Sequence, residues 1–416
     1  MCIGIGWLLS AGFVVCTAKL GGTSEQVRVF QWAWCAGFAG YLLLITAVLR
    51  SAAHGETPGH WRWWLIGCVL LRVVVLTTHP GNDAFRYVWE GRIQRAGFNP
   101  YAHPPDDPKL TCLRDDDWSH INHPDYSAIY GPVAQIEFAM IAAMHPSIYA
   151  IKGLHALWDC LTIVVLGACL RRKGYSPHRA IIYGLCPLVL SAFAAEGHLD
   201  SLMLFFVSLC IWAAIVKRMK LAGAMLGLAM GVKIVAVVLL PWFMLRDRRA
   251  AVVALVVPVV CYLPYVEAGW GLIESLVRFG SGGEFFSFLG AWRITSFQTH
   301  LSHRIAAALL AGAVIVLAWR RRDFADFAGG AFSVTLLAMP IVHYWYLSWV
   351  LMFLPFRVCW RWVAAAAAMA VYFEAHRNWG LTGEWRMPAW APGVVWILFM
   401  VVWGVERIFQ AKNRIS

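Results

Sequence analysis

Charge is what this chain has little of. Asp, Glu, Lys and Arg make up 14% of its 416 residues, against roughly 25% in an average soluble domain. Hydrophobic residues reach 60% and the mean hydropathy is +0.62, which excludes an ordinary soluble protein. The useful unit is therefore the membrane span of about 20 apolar residues. The sequence predicts an all-α integral membrane protein, one polytopic domain over 1–416 with roughly 11–13 transmembrane helices. Its long outer loops should carry short interfacial helices.

Other absences narrow the function. No Gly-rich phosphate-binding loop occurs, which argues against a nucleotide-dependent enzyme. The eleven cysteines show no metal-ligand spacing. Most sit in apolar runs (Cys35, Cys68, Cys160, Cys169, Cys210, Cys261) and read as small buried hydrophobes; Cys112 alone lies in a long polar loop. No internal repeat is visible, against an inverted-repeat transporter. The net charge is +12, yet no basic face survives once the spans are removed, so a nucleic-acid partner is excluded. The first twenty residues lack a basic leading region and read as a retained span over 3–19.

What charge there is falls in a pattern. Basic residues cluster in short loops: "RRKGYSPHR" (171–179), "KRMK" (217–220), "RDRR" (246–249), "RRRD" (320–323), and Arg357 with Arg361. The positive-inside rule makes these cytoplasmic and puts 79–130, 196–200, 267–303, 343–346 and 376–390 outside. Two of the outer loops are long, 79–130 and 267–303. Two runs break the parity. Run 221–245 is basic at both ends, which predicts a broken or re-entrant pair of half-helices turning near "MGVK", with Lys233 at the turn. Run 131–170 reads as two apolar stretches where charge counting wants one crossing.

Every chemistry-bearing cluster lands outside. In "HPGNDAFRYVWEGRIQRAGFNPY" (79–101), Asp83, Arg86, Tyr87 and Glu90 share one helical face. A carboxylate beside an arginine and aromatics suits a general base and sugar binding; a salt-bridged interfacial helix is the competing reading. "AEGHLDSLM" (195–203) brings Glu196, His198 and Asp200, a polar contact to substrate or a weak metal set. Asp200 is explained equally well as a helix cap. Lys233 and Arg72 stand in apolar runs, where an ionisable group is a functional candidate; either suits a phosphate at the membrane surface. "IVHYWYLSWVL" (341–351) reads as an aromatic belt except for His343, beside Tyr344. Glu137, Lys152, Asp159 and Glu374 are expected to pair inside the bundle. No cofactor is called for. A divalent metal stays open at Asp83, Glu90 and "DDD" (115–117), the last more simply a solvated turn.

These motifs together resemble a known family. "NDAFRYVWEGRIQRAGFNPY", "IYGPVAQ" (129–135), "CPLVLSAFAAEGHLDSLM", "GLAMGVKIVAVVLLP" and "HYWYLSWVLMFLP" stand in the order found in bacterial polyprenol-phosphate-mannose-dependent mannosyltransferases of the GT-C superfamily. The chain departs from that pattern at Phe85, Glu90, Gly131 and Cys186. The resemblance implies a multi-spanning glycosyltransferase in the plasma (inner) membrane with its active site on the periplasmic face. It implies a hexose, mannose by expectation, passing from a polyprenyl-phosphate donor to a glycan or glycolipid acceptor with inversion. It also implies that the acid of the first outer loop, here Asp83, is the catalytic base. Arg86, Tyr87, Trp89, Arg92, Asn99 and Tyr101 match motif positions and join Arg72, Glu90, Glu196, His198, Asp200, Lys233, His343 and Tyr344 as the expected substrate contacts. The partners are then the lipid-linked donor, the acceptor and membrane lipids. A multi-spanning transporter or glycolipid flippase is the alternative class.

Overall fold

Apolar runs this long fold as helices, because only a helix satisfies its own backbone hydrogen bonds in lipid. The computed structural model describes residues 24–53, 61–281, 283–291 and 300–415, and among these there is no strand. The expected first span at 3–19 and part of the second long loop, 292–299, lie outside the described residues. The α-helices are α1 (Ser24–Ala53), α2 (Trp61–Val75), α3 (Asn82–Arg95), α4 (Pro132–Met144), α5 (Ile148–Arg172), α6 (Ala180–Gly184) and α7 (Pro187–Val189). Next come α8 (Asp200–Ile215), α9 (Met219–Val232), α10 (Leu240–Arg246), α11 (Arg248–Tyr262), α12 (Gly271–Ser281) and α13 (Phe288–Ala291). The last are α14 (His300–Arg320), α15 (Phe324–Ala338), α16 (Ser348–Leu351), α17 (Trp360–Ala368), α18 (Glu374–Thr382) and α19 (Ala391–Ile415).

Among the described residues, four helical stretches are long and apolar enough to cross a membrane: Gln26–Ala52, Ile148–Arg172, Arg248–Ala268 and Ala391–Ala411. A fifth candidate is the pair Pro177–Gly184 and Pro187–Ala195, bent by 59°. The bend falls at Cys186, which is extended because Pro187 follows it. Six shorter apolar helices complete the set. Large apolar side chains such as Trp32, Val259 and Val401 stay exposed on these helices, as a lipid-facing surface requires.

Both parity breaks have a structural reason. Helix α9 stops at Val232, Lys233 is extended, and a 3-10 turn over Ile234–Leu239 leads into α10, so the expected break falls on Lys233. Helix α4 is only 13 residues, about 20 Å long. It pairs with α3 and the first half of α5: Gln94 donates to Gln135 Oε1 at 3.0 Å, and Trp158 to Glu137 at 2.5 Å. Only α5 remains to cross. Helices α3 and α4 touch at Gly91, where a Cβ would come within 2.3 Å of the Phe138 carbonyl oxygen; glycine is what lets the two backbones approach.

Three of the four groups expected to pair inside the bundle, Asp159, Glu137 and Glu374, meet a basic side chain, whereas Lys152 meets a backbone carbonyl instead. Arg72 meets Asp159 at 2.7 Å, His155 meets Glu137 at 3.1 Å, Lys152 donates to the Thr78 carbonyl at 2.5 Å, and Arg377 pairs with Glu374 at 2.8 Å. The basic loops gather at one end: Lys173 pairs with Asp323, Arg179 donates to the Phe356 carbonyl, and Arg246 to that of Ala318. Helix α5 rises about 27 Å between His155 and Lys173, close to the roughly 30 Å of a bilayer core. At the opposite end the two long loops meet. Ser127 and Ser275 share a hydrogen bond of 2.7 Å, and Phe285 exchanges backbone bonds with Pro340 and Val342.

Candidate functional site

The site is assembled from the ends of elements. Asp83 sits in the first turn of α3, which lies outside every candidate span. The backbone N–H of Gly81 donates to the Glu196 carbonyl at 3.0 Å. That bond ties the start of α3 to the turn 196–199. The turn is set up by a π-helical stretch, Leu190–Ala195, in which Glu196 N–H reaches back to Ser191; such widened turns recur at functional sites.

His198 places one ring nitrogen against each of two carboxylates. Its Nδ1 lies 3.4 Å from Asp83 Oδ2 and its Nε2 lies 3.0 Å from Glu196 Oε2. Asn122 reaches the other Asp83 oxygen at 3.4 Å. The ring of His198 stacks on Trp345 with centroids 3.8 Å apart, and Trp345 stacks on His343 at 4.4 Å. His343 Nδ1 is hydrogen-bonded to the Tyr372 hydroxyl at 2.9 Å, and Tyr344 packs edge-on to Trp345. Beside this stack, Lys233 pairs with Asp200 at 2.9 Å and lies over the Tyr346 ring at 4.1 Å. Trp349 donates to the same Asp200 oxygen at 2.6 Å. Asp200 therefore does not cap α8, whose start carries no side-chain cap. Its carboxylate answers a lysine instead.

The electrostatics follow from this packing. Burial works against the charge on Asp83, but the positively charged His198 ring beside it, with smaller contributions from His343 and Asn122, holds its carboxyl well below the usual range. Burial alone would lower His198; Asp83 and Glu196 raise it to about 9, so at neutral pH it is a cation. His343 is pushed down to about 3, first by burial and also by Lys233 and His198, although Asp83 opposes the shift. It is the neutral imidazole of the pair. Asp83, Glu196 and Lys233 keep 18–19% of their side chains exposed, whereas His198 and Asp200 keep 3% and 1%. The first three form the accessible rim.

Seven expected residues thus converge: Asp83, Glu196, His198, Asp200, Lys233, His343 and Tyr344. The others lie apart and hold protein groups. Arg72 is buried against Asp159 and the carbonyls of Cys68 and Gly184. Arg86 bonds Glu90 at 2.8 Å and donates to the carbonyls of His123, Tyr126 and Ser127. Glu90 also accepts from Gln135 at 2.6 Å. Tyr87 stacks on Phe138, and Trp89 is buried with Phe85, Ile93 and Leu110. Arg92 pairs with Asp115. Asn99 donates to the Tyr265 carbonyl and accepts from Tyr101 N–H, while the Tyr101 hydroxyl donates to Tyr130. These residues fold the first long loop. Asn122 and Tyr372 join the site without any mark in the sequence; Trp345 was visible only as one ring of the aromatic run. Among the described residues no group of three His, Cys, Asp or Glu side chains is placed to hold a metal ion.

The comparisons with known proteins bear on the same stretch. Residues 1–247 match the family described as alpha-(1->6)-mannopyranosyltransferase, N-terminal domain. The match spans Asp83, Glu196, His198, Asp200 and Lys233, and more than half of the chain. No curated protein and no solved structure matches. A membrane bundle with an ionised carboxylate at the rim of a polar cluster, and a family match of this extent, place the chain in the alpha-(1->6)-mannopyranosyltransferase family, as a membrane glycosyltransferase that transfers mannose.

Proposed function

We propose that the chain moves mannose from a polyprenyl-phosphate donor to a hydroxyl of a glycan or glycolipid acceptor at the outer face of the membrane, with Asp83 as general base. The observation that carries this reading is the Asp83 carboxylate, ionised, partly exposed and oriented by His198 outside the spans. The acceptor oxygen attacks the anomeric carbon as the bond from that carbon to the phosphate oxygen breaks. The bonding pair leaves with the phosphate, the acceptor proton passes to Asp83, and a single displacement inverts the centre. A phosphate departs without a general acid, so a second protonated carboxyl is not required.

The charge balance suits that chemistry. Three carboxylates, Asp83, Glu196 and Asp200, face two cations, His198 and Lys233. The excess negative charge favours the positive character that develops at the sugar carbon. Of the three groups expected to meet the donor phosphate, Lys233 stands on the rim, Arg72 is buried against Asp159, and His343 is a neutral imidazole hydrogen-bonded to Tyr372, so we assign the phosphate contact to Lys233. The outer-face assignment is supported by the basic loops, which lie one span away along α5.

The test uses the purified full chain with labelled polyprenyl-phosphate mannose or a nucleotide-activated mannose, short mannose oligosaccharides as acceptors, and chelator in parallel. Transfer is expected from the lipid-linked donor alone. Asp83→Asn should lower it roughly 10²- to 10⁴-fold without moving the thermal unfolding midpoint by more than a few degrees. Retained turnover in that variant rejects Asp83 as the base. Transfer from the nucleotide sugar rejects the lipid donor, and product-free passage of the lipid across vesicles would make the chain a flippase.

A further inference from the structure

A buried layer of polar groups lies behind the turn that carries His198. Gly197 has φ +77°, in the left-handed region, and a Cβ there would come within 2.9 Å of Lys152 Cγ. His155 donates from Nδ1 to the Gly197 carbonyl at 2.7 Å. One turn earlier on α5, Lys152 donates to the Thr78 carbonyl. The two chain segments that enter the site, 78–81 ahead of Asp83 and 196–197 ahead of His198, are therefore pinned to one face of one helix. They are also joined to each other by the Gly81–Glu196 backbone bond.

The pin has its own support. His155 Nε2 meets Glu137 Oε2 at 3.1 Å, and the other Glu137 oxygen accepts from Trp158 Nε1 at 2.5 Å. A carbonyl can only accept, so Nδ1 of His155 must carry a proton, and Nε2 shares a second one with the Glu137 carboxyl. The ring thus has one orientation and no tautomer to exchange. Both Lys152 and His155 are wholly buried. A paired acid and base at such depth costs desolvation that well-packed apolar side chains would avoid, so stability alone does not account for it.

We infer that Glu137 and His155 are positioning residues for mannosyl transfer: they fix the Gly197 carbonyl and, through that turn, the His198 imidazole against Asp83. Neither faces the rim, so neither touches substrate. The inference rests on the reading of Asp83 as base. The groups facing His198 are Asp83 from α3, Glu196 from its own turn, and His343 and Tyr344 from the segment before α16. The Lys233–Asp200 pair lies alongside, and Lys152 is close enough to act on Glu196. Of these, His198 is the one raised to about 9, so kcat should fall as pH rises through that value and the cation beside Asp83 is lost.

The experiment measures kcat and donor KM from pH 6 to 10.5 on the full chain, with labelled polyprenyl-phosphate mannose. His155→Leu should lower kcat at neutral pH by roughly 10- to 100-fold, leave KM within about twofold, and move the alkaline limb toward the ordinary imidazole range near 6.5. His155→Asn keeps a donor near the Nδ1 position and should restore most of kcat and the limb. Glu137→Gln, which can still bond both Trp158 and His155, should behave like the parent, and Glu137→Leu like His155→Leu. If His155→Leu does not fold, the two Glu137 variants decide the question. An unmoved limb in the folded leucine variants, or equal losses in His155→Asn and His155→Leu, overturns the inference. Activity in Asp83→Asn would instead remove the reading beneath it, whatever the His155 variants do.

Discussion

Lys233 shows how one side chain can hold two roles that a single substitution confuses. Its ammonium neutralises Asp200, which is 1% exposed, and it stands on the rim, where the proposed lipid-linked donor would bring its phosphate. Lys233→Met removes both at once and leaves a buried carboxylate without its cation, which costs about 3–5 kcal/mol. Asp200→Asn added to it removes the orphaned charge while the amide still accepts from Trp349. The double variant should regain most of the lost thermal midpoint yet keep a donor KM raised about tenfold or more. A donor KM restored together with stability would make Lys233 structural only. At this scale the sequence was half legible. An ionisable residue in an apolar run marks itself, and so do Asp83, His198 and His343 in loops between spans. Arg86, Asn99 and Tyr101 mark themselves equally, but they spend their hydrogen bonds on backbone carbonyls, and a carbonyl carries no residue type to read. Asn122 enters the site from a turn 39 residues beyond Asp83, with nothing around it that periodicity or composition could detect.

Helices α3 and α4 place Asp83 through their packing. Gly91 lets α3 approach so closely that any Cβ would lie 2.3 Å from the Phe138 carbonyl oxygen. That neighbour is backbone and cannot swing aside. Gly91→Ala must therefore push the helices apart, at a cost of about 1–3 kcal/mol, and the shift reaches Asp83 at the far end of the same helix. A lowered thermal midpoint and a fall in transfer with little change in acceptor KM are expected; a midpoint and rate equal to the parent's would show that the contact is slack. The break at Lys233 was legible, because basic residues at both ends of one apolar run cannot fit a single crossing. The shortness of α4 was not, because hydropathy does not distinguish a helix that crosses from one packed beside a crossing helix. The π-helical stretch before Glu196 also escaped, since its residues, "LSAFAA", suit an ordinary α-helix.

Taken whole, the molecule separates two kinds of charge by one membrane thickness. Lys173, Arg179 and Arg246 make their contacts at one end of the bundle, while Asp83, His198 and Lys233 meet at the other. If the basic end is cytoplasmic, the long loop 79–130 faces outward with the site, and Cys112 offers a native probe of it. Cys112 is exposed in the 3-10 turn Pro108–Leu113, whereas the exposed Cys35 lies on the candidate span Gln26–Ala52, where an aqueous reagent does not reach. A membrane-impermeant maleimide added to intact cells should label the chain, and Cys112→Ser should remove that label. Labelling of Cys112 only after the membrane is opened would put Asp83 on the cytoplasmic side. The same polar cluster would then face a compartment that supplies nucleotide sugars, and the case for a donor that carries its activation on a lipid would lose its footing.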